Sequence, residues 1–211
     1  MKILLVAIGI VIALSLIIQN DPSIRDTAIQ KITVSEESRN STSNKSSEKT
    51  KQQTNELETR LAELYSWRVT SSTSPIDDST NVYMRLISTN DIAGRLGKLG
   101  PATMILRCTE NTTAAIFRMN DLFLADLQSY GNVIYRIDDE KAKTRRMRES
   151  TSNEALGLWR GATAIPFIKS LFGHNELLVQ ITPYNENPVR ATFNISGIEE
   201  EIKPLRKACN W

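Results

Sequence analysis

Ile105-Leu-Arg-Cys-Thr-Glu-Asn-Thr-Thr-Ala-Ala-Ile-Phe-Arg-Met119 is the stretch whose reading decides the fold of this chain. Ile105 and Arg107 alternate with Leu106 and Cys108, and Ala115 and Phe117 alternate with Ile116 and Arg118. Alternation over two short runs, with Glu110-Asn-Thr-Thr113 between them, is the pattern of a β-hairpin. The hairpin carries Cys108, and the chain's other cysteine is Cys209. If the two pair, the hairpin is tied to the C-terminal segment and everything between them closes into one loop.

Working outward, strand signals dominate. Trp67–Ser72 alternates weakly, Ser74-Pro-Ile-Asp-Asp-Ser-Thr80 is a turn cluster, and Asn81–Ser88 alternates cleanly. Gly94, Gly97 and Gly100-Pro101 mark a loop before the hairpin. Asn132–Asp138 reads as a strand and Lys141–Glu149 as an exposed strand or loop. A helix is expected over Ala164–Phe172, starting near Thr163 and stopped by Gly173. Glu176–Tyr184 and Val189–Ser196 form a second hairpin across Asn185–Pro188. Ile198–Ala208 closes the chain as a helix, acidic early and basic late, with Pro204 positioned to kink it. The expected class is mainly β, a β-sandwich or curved antiparallel sheet with a few packed helices.

The N-terminus sets the compartment. Lys2 precedes an apolar run over residues 3–18, broken only by Gly9 and Ser15. That is slightly short of the roughly 20 residues of a spanning helix and slightly longer than the roughly 7–15 residues of a signal core. No small-x-small site follows and no cysteine follows, so a lipoprotein is excluded. An uncleaved signal anchor over 1–20 is the favoured reading and a cleaved signal the alternative. Residues 21–56 are then a polar tether: Ser35–Thr50 holds no large apolar residue to offset its ordering entropy. Leu57, Leu61 and Leu64 space as one face of a short helix leading into an exported domain over 57–211. In an oxidising compartment Cys108 and Cys209 are expected to pair.

Composition narrows the function. Over 211 residues the net charge is +2, which speaks against nucleic acid as a partner. His174 is the single histidine, so a multi-histidine zinc site is excluded. Asp77-Asp78 and Asp138-Asp139 could join as a calcium site or as general acid and base, but turn and strand-end capping explains them better. Lys141, Lys143, Arg145, Arg146 and Arg148 form a basic run that suits an acidic partner, lipid headgroups or a solvated strand face. His174, just past a helix, reads as a cap. The glycines 94, 97 and 100 lack the strand-to-helix context of a phosphate loop. No catalytic constellation, metal site or cofactor is expected, and Asp77, Asp78, Arg107, Asp138 and Asp139 remain candidate surface residues.

An ordered set of short motifs resembles the VasI/TagO family of type VI secretion accessory proteins. It runs from Trp67 and Ser74-Pro-Ile-Asp-Asp-Ser-Thr-Asn-Val82 through Leu106-Arg-Cys108, Asn111-Thr-Thr113 and Tyr135-Arg-Ile-Asp-Asp139. It continues with Ser150-Thr-x-Asn153, Ala155-Leu-Gly-Leu-Trp159, Ala164-Ile-Pro-Phe-Ile168 and Thr182-Pro-Tyr184, and ends at Phe193 and Leu205-Arg-x-Ala-Cys-Asn-Trp211. Met147 and Ser152 stand where the family pattern carries tryptophan and aspartate. The resemblance implies an envelope protein of Gram-negative bacteria without established enzyme activity, binding secretion-apparatus or other envelope proteins. It carries over no catalytic residue. The residues alone keep two other readings open: a cell-wall-acting enzyme or carbohydrate-binding domain built on the four aspartates, and a prophage-encoded adaptor.

Overall fold

Two antiparallel sheets share one apolar core in a computed structural model that describes residues 52–57, 59, 60, 63, 64 and 66–211. The apolar run over 3–18 and most of the polar stretch over 21–56 lie outside the described residues. Residues 52–57, 59, 60, 63 and 64 are helical, so the helix leading to the domain begins inside the stretch read as tether. Among the described residues no helix is long and apolar enough to cross a membrane.

The larger sheet has the order β1-β2-β3-β4-β8-β7. Its strands are β1 (Arg68–Thr73), β2 (Thr80–Ala93), β3 (Leu99–Thr109), β4 (Thr112–Arg118), β7 (Arg148–Glu149) and β8 (Ala155–Leu158). The smaller has the order β10-β9-β5-β6, from β5 (Asn132–Ile137), β6 (Lys143–Arg146), β9 (Glu176–Ile181) and β10 (Val189–Asn194). The quoted hairpin is β3–β4, turning through Glu110 and Asn111, both at positive φ (49° and 55°). Thr112 and Thr113 belong to β4 rather than to the turn. Cys108, Leu106 and Met104 face Thr113, Ala115 and Phe117 across the ladder, all pointing into the core. Phe117 packs against Phe193 of β10 at 6.0 Å and Phe167 at 6.2 Å, joining the two sheets.

Two devices close the sheets on each other. In β2 the ladder to β3 shifts between Ile87 and Asp91. Inside that irregularity the buried Ser88 hydroxyl takes the amide hydrogen of Ala102 and donates to Asn90 O. The bend lets Asn90 accept from the Thr192 amide at 2.8 Å and donate to Arg190 O at 3.1 Å, stitching β2 to β10. On the other side the chain crosses from β6 to β7 at Met147, which is fully buried. Met147 is thus a packing position, where a flexible thioether fills the gap between sheets.

The glycine spacing 94, 97, 100 has a packing origin. A Cβ on Gly94 would lie 2.1 Å from Asn120 O, and one on Gly100 would lie 2.8 Å from Asn120 Oδ1. Asn120 occupies that space and donates Nδ2 to Ile92 O and Lys98 O, both at 2.8 Å. Gly97, at φ +74°, makes the turn itself, a 3-10 turn over Arg95–Gly97. Gly100 and Pro101 lie within β3, not in a loop as their composition suggested.

Three short helices complete the fold: α1 (Gly161–Lys169), α2 (Ile198–Glu201) and α3 (Lys203–Cys209). α1 starts at Gly161, two residues before the Thr163 expected. The expected single C-terminal helix is broken at Ile202, because Pro204 opens α3 and cannot continue the ladder of α2. Cys209 ends α3 and is bonded to Cys108, with Cα atoms 5.8 Å apart. Trp211 then donates Nε1–H to Thr113 Oγ1 at 2.9 Å. Lys169 and Arg206 stack on its ring at 5.5 and 5.4 Å. It seats against β4, an interior strand, rather than against a sheet edge.

Candidate functional site

The acidic candidates have structural partners of their own. Asp77 Oδ1 accepts from the Ser79 amide at 3.2 Å and its hydroxyl at 2.8 Å, an Asx turn between β1 and β2. The hydroxyls of Ser74 and Ser79, with the Ser79 amide, hold its carboxyl below the ordinary aspartate range. Asp78, at φ 54°, lines a hollow of about 540 Å³ with Asn111 and Lys207. Asp138 follows β5 on the other sheet. Its Oδ1 accepts the amides of Glu176 (2.8 Å) and Asn175 (3.1 Å), and its Oδ2 lies 2.9 Å from His174 Nδ1. Asp139 is exposed in the turn that follows. The two aspartate pairs therefore hang from different sheets and close different turns.

His174 does not cap α1, as its place after a helix suggested. It joins Asp138 in a clasp between the exit of β5 and the entry of β9, with Nε2 3.8 Å from Glu140 Oε1. The Glu176 amide first, then His174, holds the Asp138 carboxyl below its usual range, and Lys143 does the same for Glu140. An ionised Asp138 accepts, so Nδ1 of the imidazole carries the hydrogen. Because both folded carboxyls sit below their unfolded values, their contribution to stability is full above the ordinary carboxylate range. It is lost as pH falls through the depressed folded values. Thermal unfolding is expected to show a midpoint that drops with acid below about pH 4. Asp138→Asn is expected to lower the neutral-pH midpoint and flatten that acid limb. Identical pH profiles for the two proteins would show that the clasp contributes nothing. Among the described residues no group of three or more His, Cys, Asp or Glu could hold a metal ion.

Arg107 leads to a different kind of site. In an antiparallel ladder directly paired residues share a face. The pairs Arg68↔Arg85, Arg85↔Ile105, Tyr83↔Arg107 and Arg107↔Ala114 therefore put these side chains on the outer face of the six-stranded sheet. Arg148, opposite Gly157, joins them. Ala114, Ile116 and Ala155 form a small apolar floor there, with Ile105 and Trp159 packed on it. Trp159 lies across Gly157, where a Cβ would come within 3.0 Å of its ring, and donates Nε1–H to Arg148 O at 2.9 Å. The Arg107 guanidinium stacks on the indole at 5.5 Å.

The charge on this face is concentrated. Arg68 and Arg85 are exposed like charges set directly opposite, an arrangement that weakens a sheet. They line a hollow of about 290 Å³ with Leu64, Ile87 and Pro101. On the far side of Arg107 a groove of about 480 Å³ is lined by Arg146, Arg148, Trp159, Arg160 and Thr163. Arg146 is held by the carbonyls of Gln128 and Asp126, and Arg145 by that of Thr163, so hydrogen bonds orient both without neutralising them. Arg148 pairs with Asp126 at 2.9 Å while its side chain stays 75% exposed. Such a surface offers planar, pre-oriented donors to carboxylates along the width of a sheet. Sequence reading reached Arg107 and Arg148. It missed Arg68, Arg85, Trp159 and Arg160, although the period of two in β2 already placed Tyr83, Arg85 and Ile87 on one side.

No curated protein matches the chain. The crystal structure of invasion associated protein b from Bartonella henselae is similar at a TM-score of 0.43 and 10% identity, covering 68% of this chain and 94% of that one. A family model described as type VI secretion system VasI, EvfG matches residues 23–211, nearly the whole chain. The arrangement of both sheets, the disulfide and the arginine face all lie inside that match, and the chain belongs to the VasI family of type VI secretion proteins.

Proposed function

We propose that this protein is a non-catalytic accessory module of the type VI secretion machinery that binds an acidic partner on the outer face of its larger sheet. The observation that carries the reading is the row Arg68, Arg85, Arg107, Arg148 and Arg160 around Trp159, with Asp126 as the carboxylate that meets it. Family membership supports the association with secretion. In this reading residues 3–18 hold the chain in the inner membrane and the domain works in the periplasm. The alternative of a cell-wall-acting enzyme needs a carboxyl that keeps its proton near neutral pH. Asp77 and Asp138 are both held on the opposite, low side by hydrogen-bond donors.

Crosslinked envelopes from cells expressing the apparatus test the proposal. Affinity capture on the wild-type chain is expected to recover subunits of the secretion apparatus. Arg107→Glu combined with Arg160→Glu is expected to weaken that capture about tenfold or more, since reversed charges now face an acidic surface. Recovery of no subunit, or equal recovery by wild type and variant at equal folded amounts, overturns it.

A further inference from the structure

One end of the domain carries apolar side chains that its own fold does not use. Leu96 is 99% exposed and Leu99 is 67% exposed at the β2–β3 turn. β4 ends beside this turn, since Arg118 pairs with Thr103, and the loop that follows delivers Phe123, 52% exposed. The Tyr184 amide donates to Phe123 O, and the two rings meet edge to face at 6.1 Å. Tyr184 is exposed as well, and its ring also meets Tyr130 at 5.3 Å.

Three features set this end apart from ordinary surface leucines. Leu96 sits at φ 62°, in the left-handed region that leucine rarely adopts and that glycine or asparagine takes more readily. Strain retained in an exposed turn points to a use. The turn is rigid, because Asn120 ties Ile92 O and Lys98 O together beneath it. Arg95 and Lys98 alternate with the leucines on the turn itself, while the exposed acids of this end, Asp91, Asp121 and Glu186, lie on β2 and on the two loops beside it. Apolar tips flanked by basic residues, with aromatic rings beside them, match the chemistry of a bilayer interface: leucines enter the acyl boundary, cations meet phosphates, and aromatic rings sit at headgroup level.

We infer that the β2–β3 turn, with Phe123 and Tyr184, is a membrane-contact site that docks this end of the domain on a bilayer containing anionic lipid. This goes beyond the partner-binding reading and does not depend on it, because none of Leu96, Leu99, Phe123 and Tyr184 lines either arginine hollow.

The test uses the full chain reconstituted in vesicles of phosphatidylglycerol and phosphatidylethanolamine. Leu96→Cys provides a single free thiol, because Cys108 and Cys209 are bonded to each other. It is labelled with an environment-sensitive fluorophore. Ile76→Cys, exposed in the β1–β2 turn at the opposite end, is the control. The label at position 96 is expected to shift to the blue and be quenched by lipids brominated in the acyl chain, and the label at 76 to do neither. Adding Arg95→Gln and Lys98→Gln to Leu96→Cys is expected to lower the inserted-to-free ratio roughly 25-fold, on the order of fivefold per charge. Equal signals at 96 and 76, no signal at 96, or a signal at 96 that appears only with envelope protein and not with vesicles would each overturn the inference. An unchanged ratio without the two charges overturns the role given to anionic lipid.

Discussion

A chain carrying Cys108→Ala and Cys209→Ala is expected to lose about 2–5 kcal/mol of stability, the usual cost of removing a native disulfide. The bond joins residues 101 apart, where the chain-entropy account places the effect near the top of that range, about 4.7 kcal/mol. Alanine is the better choice because Cys108 is buried, and a serine hydroxyl there would lack a partner. The loss should be graded through the molecule. α3 and Trp211 should become mobile first, since the buried Leu205, the hydrogen bond to Thr113 and the stacked Lys169 are then what hold the end. Reducing agent should reproduce the variant's denaturation midpoint and leave the variant itself unchanged. Two free thiols found by mass spectrometry of the protein purified without reductant would end the argument.

Phe117→Ala is expected to cost about 3–5 kcal/mol, comparable to the disulfide but by a different route. Its ring is fully buried and touches Phe193 on β10 and Phe167 on α1. Truncation opens a cavity where the two sheets and the helix meet, and no neighbour can collapse into it without moving a strand. Phe117→Leu should cost far less, about 1.5 kcal/mol or below, because it restores most of the volume. Phe123→Ala, at an exposed position, should fall within about 0.5 kcal/mol of wild type. Urea denaturation of the three variants checks the ranking. A Phe117→Ala midpoint close to that of Phe123→Ala would show that the inter-sheet core is not organised around this ring.

Local chemistry was legible wherever one side of a strand faces water. In β2 and in the β9–β10 hairpin the alternation is visible because inward residues such as Met84, Leu86 and Val179 are flanked by exposed or half-buried ones. β8 escaped notice because all four of its residues are buried. Leu156 turns to the core, while Ala155 and Gly157 lie under the outer face and Trp159, so the period of two disappears. The break at Ile202 was half visible, through Pro204. Asp77 could be read as a turn former because an Asx turn needs only nearby residues. The arginine face could not be read, since it depends on register: Arg68 and Arg85 become neighbours only once β1 folds back on β2. The clasp of His174 on Asp138 joins residues 36 apart and has no local signature.

The distance along the chain between Cys108 and Cys209 also sets an order of events during synthesis. β1 to β4 form a meander of local hairpins that can assemble as soon as residue 118 has emerged. At ordinary elongation rates the residues between the two cysteines take about 5–20 s more to appear. Throughout that interval Met84, Leu86, Met104, Leu106 and Phe117 have no second sheet to cover them, and the Cys108 thiol waits among them without its mate. A thiol in that position is open to capture by any other free thiol, and the bare face is open to aggregation. Correct maturation of this protein is therefore a race between arrival of the last helix and intermolecular oxidation. Slowing elongation late in the message should raise the fraction of mixed disulfides at Cys108.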